Sequence, residues 1–152
     1  MSSTTSASAC VSSRVYMHPH GFDGDNDDPA RRFVHLVDEL SERLSGYRIV
    51  DEPYHLLVEE GYEFRHPPSL EDFEAQLERS IEGLGEGEAN VLYDRCPVDM
   101  IAYLQVHEDA ASFALDAWIP RVRAAIESLD FVVFVPIEAD DRIRFSGGDD
   151  DG

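Results

Sequence analysis

The chain has 152 residues, 43% of them hydrophobic, which is enough for one compact domain with its own core and too apolar for a disordered chain. Its 32 acidic residues against 12 basic ones set a formal net charge of -20, and a chain of that sign repels nucleic-acid backbones, which excludes DNA and RNA as partners. No apolar run reaches the roughly 20 residues that span a bilayer, and the small polar start MSSTTSASACVSS lacks the basic and apolar segments of a secretory signal, so the chain is expected in the cytoplasm and off the membrane.

Every basic residue is arginine; the chain has no lysine. An acid-rich, lysine-free surface suits molar salt, where screening removes the self-repulsion that loosens a fold. Two cysteines, Cys10 and Cys96, are too few for a disulfide framework and read as free thiols.

In chain order, residues 1–13 read as a disordered leader, being rich in Ser, Thr and Ala with little to bury. A first strand is expected at 14–17. A polar loop rich in Gly and Asp follows, with Asp28 as helix N-cap and Pro29 as first helical residue. Phe33, Leu36, Val37, Leu40 and Leu44 recur at helical spacing, and Gly46 is a fitting stop. A second strand at 47–50 ends in Asp51-Glu52-Pro53, and a short helix is expected within 54–63. Ser69 with Asp72 forms a capping box ahead of the stripe Phe73, Leu77, Ile81, Leu84. Val91 to Tyr93 is a buried strand that turns polar at Asp94 and Arg95, and Pro97 opens a helix. Trp118, Val122, Ile126 and Leu129 mark another amphipathic helix, with Pro120 tolerable near its first turn. The run FVVFVPI at 131–137 has the composition of a strand covered on both faces. The polar end, 146–152, reads as a disordered acidic tail.

Alternating strands and helices predict an α/β domain over 14–145 with a parallel sheet and right-handed crossovers. The expected core comprises Val15, Phe33, Val37, Leu40, Ile49, Phe73, Leu77, Val91, Leu92, Ile101, Val122, Ile126, Val132, Val133 and Val135. An acid and a guanidinium at the carboxyl end of a central parallel strand sit where open α/β sheets bind ligands. Asp94 and Arg95 are therefore the leading candidates for a site. Asp99, one turn on, reads as a surface acid.

The order of these elements resembles the P-loop NTPase superfamily, and within it nucleoside-kinase-like and nicotinamide-riboside-kinase-like AAA ATPases. The likeness rests on a strand, a Gly-containing loop and a helix, then a strand ending in DEP, one ending in DRCP, and the strand FVVFVPIE. It implies a sheet of about four strands in the order 2-3-1-4 and an ATP-dependent kinase or ATPase acting on a nucleotide or nucleoside-like small molecule. Glu52 matches the carboxylate that removes a proton from the attacking hydroxyl, which needs an acid at a strand end within hydrogen-bond reach. Asp94 and Arg95 match an acid–arginine pair; Asp94 would hold Mg²⁺ or substrate and Arg95 would clamp phosphate. His20, Gly21 and Gly24 occupy the place of the nucleotide-binding loop, with ATP and Mg²⁺ as the implied cofactors.

The chain departs from the family at that loop. The pattern G-x-x-x-x-G-K-[ST] is replaced by HPHGFDGDNDD, without Lys or Ser/Thr and with four Asp where phosphates would lie. Asp23, Asp25 and Asp27 have the spacing of a Ca²⁺ loop, but Asp28 stands where such a loop wants Gly and Val34 where it wants Glu, so the segment reads as a solvated acidic loop. The lid and final strand expected after the fourth strand have no counterpart, which predicts an open sheet edge at 131–137, a natural site for aggregation or for a homodimer.

Three readings follow. One is an active kinase or ATPase, one a domain of the same fold that binds a ligand or a protein without catalysis, and one a fragment or locally frame-altered chain. The impaired phosphate loop makes negligible ATP turnover the expectation.

Overall fold

The structure is a computed structural model that describes residues 7–13 and 29–135. Among these residues, five helices of more than one turn and four strands alternate: β1 (Ser8–Ser13), α1 (Pro29–Arg43), β2 (Arg48–Val50), α2 (Pro53–Glu59), α3 (Leu70–Gly85), β3 (Val91–Asp94), α4 (Pro97–Val106), α5 (Leu115–Glu127) and β4 (Phe131–Val135), with a 3₁₀ turn at Ala110–Ser112 before α5. The strands form one all-parallel sheet in the order β2-β3-β1-β4. This agrees with the α/β class and strand order expected from the sequence.

The first strand lies elsewhere than expected. Ser8–Ser13, assigned above to a leader, is a central strand bonded to β3 on one side and β4 on the other. The expected strand at 14–17 lies outside the described residues, as does the acidic loop that holds His20, Gly21 and Gly24. The small residues of β1 have a physical use. A central strand is bonded on both edges and roofed on both faces, so Ala9 and Cys10 bring the sheet close to its helices where larger side chains would hold them off.

Strand alternation sorts the core into layers. Ala9, Ile49 and Leu92 point to one face and meet Val37, Leu36 and Leu40 of α1. Cys10, Val50, Val91 and Tyr93 point to the other and meet Leu84 of α3 and Ala125 and Ile126 of α5. A second layer, built by Phe73, Leu77, Met100, Leu104 and Phe113, joins α3, α4 and α5. Leu77 and Leu104 are fully buried there.

Local signals explain the element ends. Pro29 opens α1, and Gly46, at φ 93°, takes the left-handed turn after it. The Ser69 hydroxyl accepts the Asp72 N–H, while the Asp72 carboxylate accepts the Ser69 N–H at 2.7 Å, so the capping box forms as expected. Asn90, at φ 57°, turns the chain into β3, and its carbonyl accepts the Arg48 N–H of β2. Asp130 binds the start of β1 three times: its carboxylate accepts the Ser8 N–H at 2.6 Å and the Ser8 hydroxyl at 3.3 Å, and its own N–H donates to the Ser8 carbonyl at 3.0 Å.

The last strand corrects a second expectation. Val132 and Val133, placed in the core, are 44% and 41% exposed, and Phe131 and Phe134 more so. Phe131–Val135 forms the expected strand at the expected open edge of the sheet, but among the described residues its faces are not roofed, so Val132 and Val133 lie outside the core. Among the described residues, no helix is long and apolar enough to cross a membrane.

Candidate functional site

β1 sends its chain toward β2, and β3 sends its chain over β1 to β4. The carboxyl ends of β1 and β3 therefore diverge, which is the switch point where open α/β sheets form their ligand crevice. Asp94 is the last residue of β3 at that point. Arg95 follows in the left-handed region, at φ 76°. For a residue with a Cβ this costs on the order of 1 kcal/mol or more, and it persists only where the surroundings hold it. Contacts within the described residues help hold it here: the Cys10 thiol donates to the Arg95 carbonyl at 2.6 Å, and the Arg95 Nε donates to Glu52 Oε2 at 3.3 Å.

Pro97 then starts α4, fully buried, and Asp99 accepts the Cys96 N–H at 2.8 Å. Asp99 is thus no surface acid but a buried one, 5% exposed, that closes the first turn of α4 and fixes the exit from β3. Glu52 enters from the neighbouring strand end, as the residue just before Pro53 opens α2. Its second oxygen lies 3.3 Å from His55 Nε2, one turn along the same helix.

The electrostatics centre on Asp94. Burial, then the negative charge of Glu52, push its carboxyl up to about 7 against the opposing pull of Arg95; Asp51 and Asp99 add to the rise. Its Oδ1 is buried and, among the described residues, has no hydrogen-bond partner. A buried, unpaired carboxylate oxygen is uncommon and costly in a native fold. Tyr103, on the buried side of α4 and stacked on Phe73 at 5.3 Å, senses the same charges; burial pushes its hydroxyl up to about 12, opposed by Arg95 and assisted by Asp99 and Glu52. Beneath the site the paired thiols of Cys10 and Cys96 are dry, and the hydrogen bond between them, together with burial, drives the Cys10 pKa up.

Of the residues expected in the site, Glu52, Asp94 and Arg95 come together, and His20, Gly21 and Gly24 fall outside the described residues. His55 and Tyr103 were missed. The spacing E-P-x-H puts Glu52 and His55 on one side of a helix start and was available as a signal; for Tyr103, one aromatic on a mostly apolar helix, there was none.

No protein-family model matches the chain, and neither a curated protein nor a solved structure matches it significantly.

Asp94 is a single carboxylate donor. Among the described residues, no three His, Cys, Asp or Glu side chains are grouped to hold a metal ion. Mg²⁺ bound through one carboxylate needs phosphate oxygens and waters for the rest of its shell, so the donor set fits that ion only if a ligand brings phosphate. Polyphosphate itself fits poorly. The guanidinium at the end of β3 is already paired to Glu52, the acids Asp51, Glu52 and Asp94 surround it, and no lysine exists in the chain to replace it. The groups instead suit a neutral, hydroxyl-bearing ligand, which can satisfy Asp94 Oδ1 without adding negative charge. A cavity of about 180 Å³ lined by Ser8, Glu88, Tyr93 and Asp130 lies at the opposite, amino-terminal edge of the sheet. It is smaller than the roughly 300 Å³ of an ordinary ligand pocket.

Proposed function

We propose that this chain is a P-loop-NTPase-like domain, related to ATP-dependent small-molecule kinases, that binds a nucleoside-type ligand at Asp94, Glu52 and Arg95 while ATP binding is impaired. The observation that carries the reading is Asp94 Oδ1, buried and without a partner among the described residues at the switch point of the sheet. A ligand hydroxyl that donates to this oxygen gives it a charge-assisted bond. Arg95 positions Glu52, and Glu52 with its second oxygen on His55 is held in one orientation. The parallel order β2-β3-β1-β4 supports the architecture. The missing lysine supports the loss of phosphoryl transfer.

The test is isothermal titration in molar KCl with Mg²⁺, using a purine nucleoside, a pyrimidine nucleoside and ATP on the wild type and on Asp94→Ala. At least one nucleoside should bind, with affinity reduced about tenfold or more in the variant, as expected for loss of one hydrogen bond to a charged group. ATP should bind no tighter than its nucleoside. Absence of nucleoside binding, or equal binding to Asp94→Ala, overturns the reading. Turnover of ATP with a phosphorylated product would replace it with that of an active kinase.

A further inference from the structure

β4 is an edge strand: among the described residues it is bonded to β1 alone. Its register with β1 places Phe131 and Val133 on the side of Ala9, and Val132 and Phe134 on the side of Cys10. These four consecutive side chains are 63%, 41%, 44% and 58% exposed in that order, so both faces of one edge strand are apolar and open. Single exposed apolar residues are ordinary, but an unguarded edge is not; native edges carry charge, proline or a bulge, and Phe131–Val135 carries none.

We infer that β4 is a homodimer interface, in which the strands of two copies pair antiparallel about a two-fold axis through Val133. The sequence of the strand argues for a second copy as the occupant. A two-fold normal to the sheet at Val133 places Val132 opposite Phe134 of the second copy and Val133 opposite itself. Each facing pair then lies on one face, and valine against phenylalanine is among the favoured cross-strand pairs. The strand presents no charge that a basic or acidic partner would read. The four side chains offer on the order of 400 Å² per copy, given roughly 200 Å² for a phenylalanine and somewhat less for a valine. Two copies with the paired backbones come close to the roughly 1,000 Å² of a weak but specific interface. The dimer is therefore concentration-dependent, and with -20 per chain it is favoured by salt. Because the strands run antiparallel, the carboxyl edges of the two sheets face opposite ways and the Asp94 sites stay open. The inference is independent of the ligand.

Val133→Cys and Phe131→Cys, oxidised mildly with copper–phenanthroline in molar KCl, test the register. Across the two-fold, the Cα atoms at 133 lie about 4.5–5.5 Å apart, within disulfide reach. Those at 131 are offset by four residues, about 13 Å, and out of reach. The native thiols are buried and give no background. Val133→Cys should form a covalent dimer several-fold faster than Phe131→Cys. By sedimentation in molar KCl the wild type should approach dimer mass as concentration rises, and Val133→Lys should stay monomeric with an unchanged far-ultraviolet dichroism spectrum. Equal cross-linking at the two positions, a monomer at every concentration, or masses growing beyond the dimer would overturn the inference. Should Val133→Lys fail to fold, the cysteine pair still decides.

Discussion

Replacing Asp94 with asparagine should stabilise the fold, and only above the acidic range. The carboxyl has an ordinary value of 3.8 and sits at about 7 in the folded chain. Below about pH 4 folded and unfolded chains both hold the proton, so the group contributes nothing that depends on pH. Between 4 and 7 the folded chain keeps a proton that the unfolded chain has shed, and stability falls as pH rises. Above 7 the full cost is present. At 1.36 kcal/mol per pKa unit the full cost is about 4 kcal/mol, and since part of the side chain meets solvent, about 2–4 kcal/mol is the working range. Asp94→Asn removes the charge and keeps the shape. In a chain of this size each kcal/mol moves Tm by about 2–4 °C, so the variant should melt roughly 5–15 °C higher at pH 8 and nearly with the wild type at pH 4. Thermal unfolding in molar KCl from pH 4 to 9 measures this. The salt weakens the part due to Glu52 more than the part due to burial, which is the larger cause. Two melting curves that run parallel across the whole range, or a variant less stable at pH 8, would refute the reasoning.

Glu52→Gln should lower the titration midpoint of Asp94, because it removes the charge that pushes the carboxyl up and releases Arg95; carbon-13 NMR of the aspartate carboxyls reads the midpoint, and no change or a rise counts against it. Asp72→Ala should cost about 2–3 kcal/mol in chemical denaturation, since the buried carboxylate accepts from Tyr62, Arg65 and both the N–H and the hydroxyl of Ser69. Burial alone would raise the Asp72 pKa, but the bonds from Ser69, Arg65 and Tyr62 outweigh it and hold it below the usual range, so this stabilisation stands at neutral pH and fades on acidification below about pH 4. Tm should climb between dilute buffer and molar KCl, because salt screens a net charge of -20; an unchanged Tm would show that the acids do not destabilise the fold.

The elements that could be read from the sequence are those whose own side chains define them. Phe73, Leu77, Ile81 and Leu84 carry a helix by spacing, Ser69 and Asp72 cap it, and Pro29, Gly46 and Pro97 punctuate the chain where its helices begin or end. The alternation of such patterns gave the α/β class and the parallel sheet, whereas the strand order came from the resemblance to P-loop NTPases. β1 could not be read this way. SACVSS has no stripe and almost no apolar bulk, and it is a strand because β3 and β4 bond it from both sides. The run FVVFV announces a strand, and its expected place at the open edge holds, but its composition did not show that Val132 and Val133 would stay exposed there. In the site, Asp94-Arg95 and Glu52 were visible as acids and a guanidinium at strand ends. The burial of Asp99 was hidden, because an aspartate three residues into a helix looks the same whether its N-cap faces water or the core.

The Asp130 clasp on Ser8 joins residues 122 apart in the chain. β1 is synthesised before any other strand and receives its last neighbour only when β4 has been made. At about 5–20 residues per second, the ribosome takes roughly 6–24 s to cover that distance. During that interval β1 can pair with β3 at most, one edge stays bare, and the growing domain depends on its helices for protection. Closure of the sheet is then a single long-range event that waits for β4, of the kind that makes parallel sheets fold slowly. The unpaired interval is the time at which a chaperone has most to offer this chain.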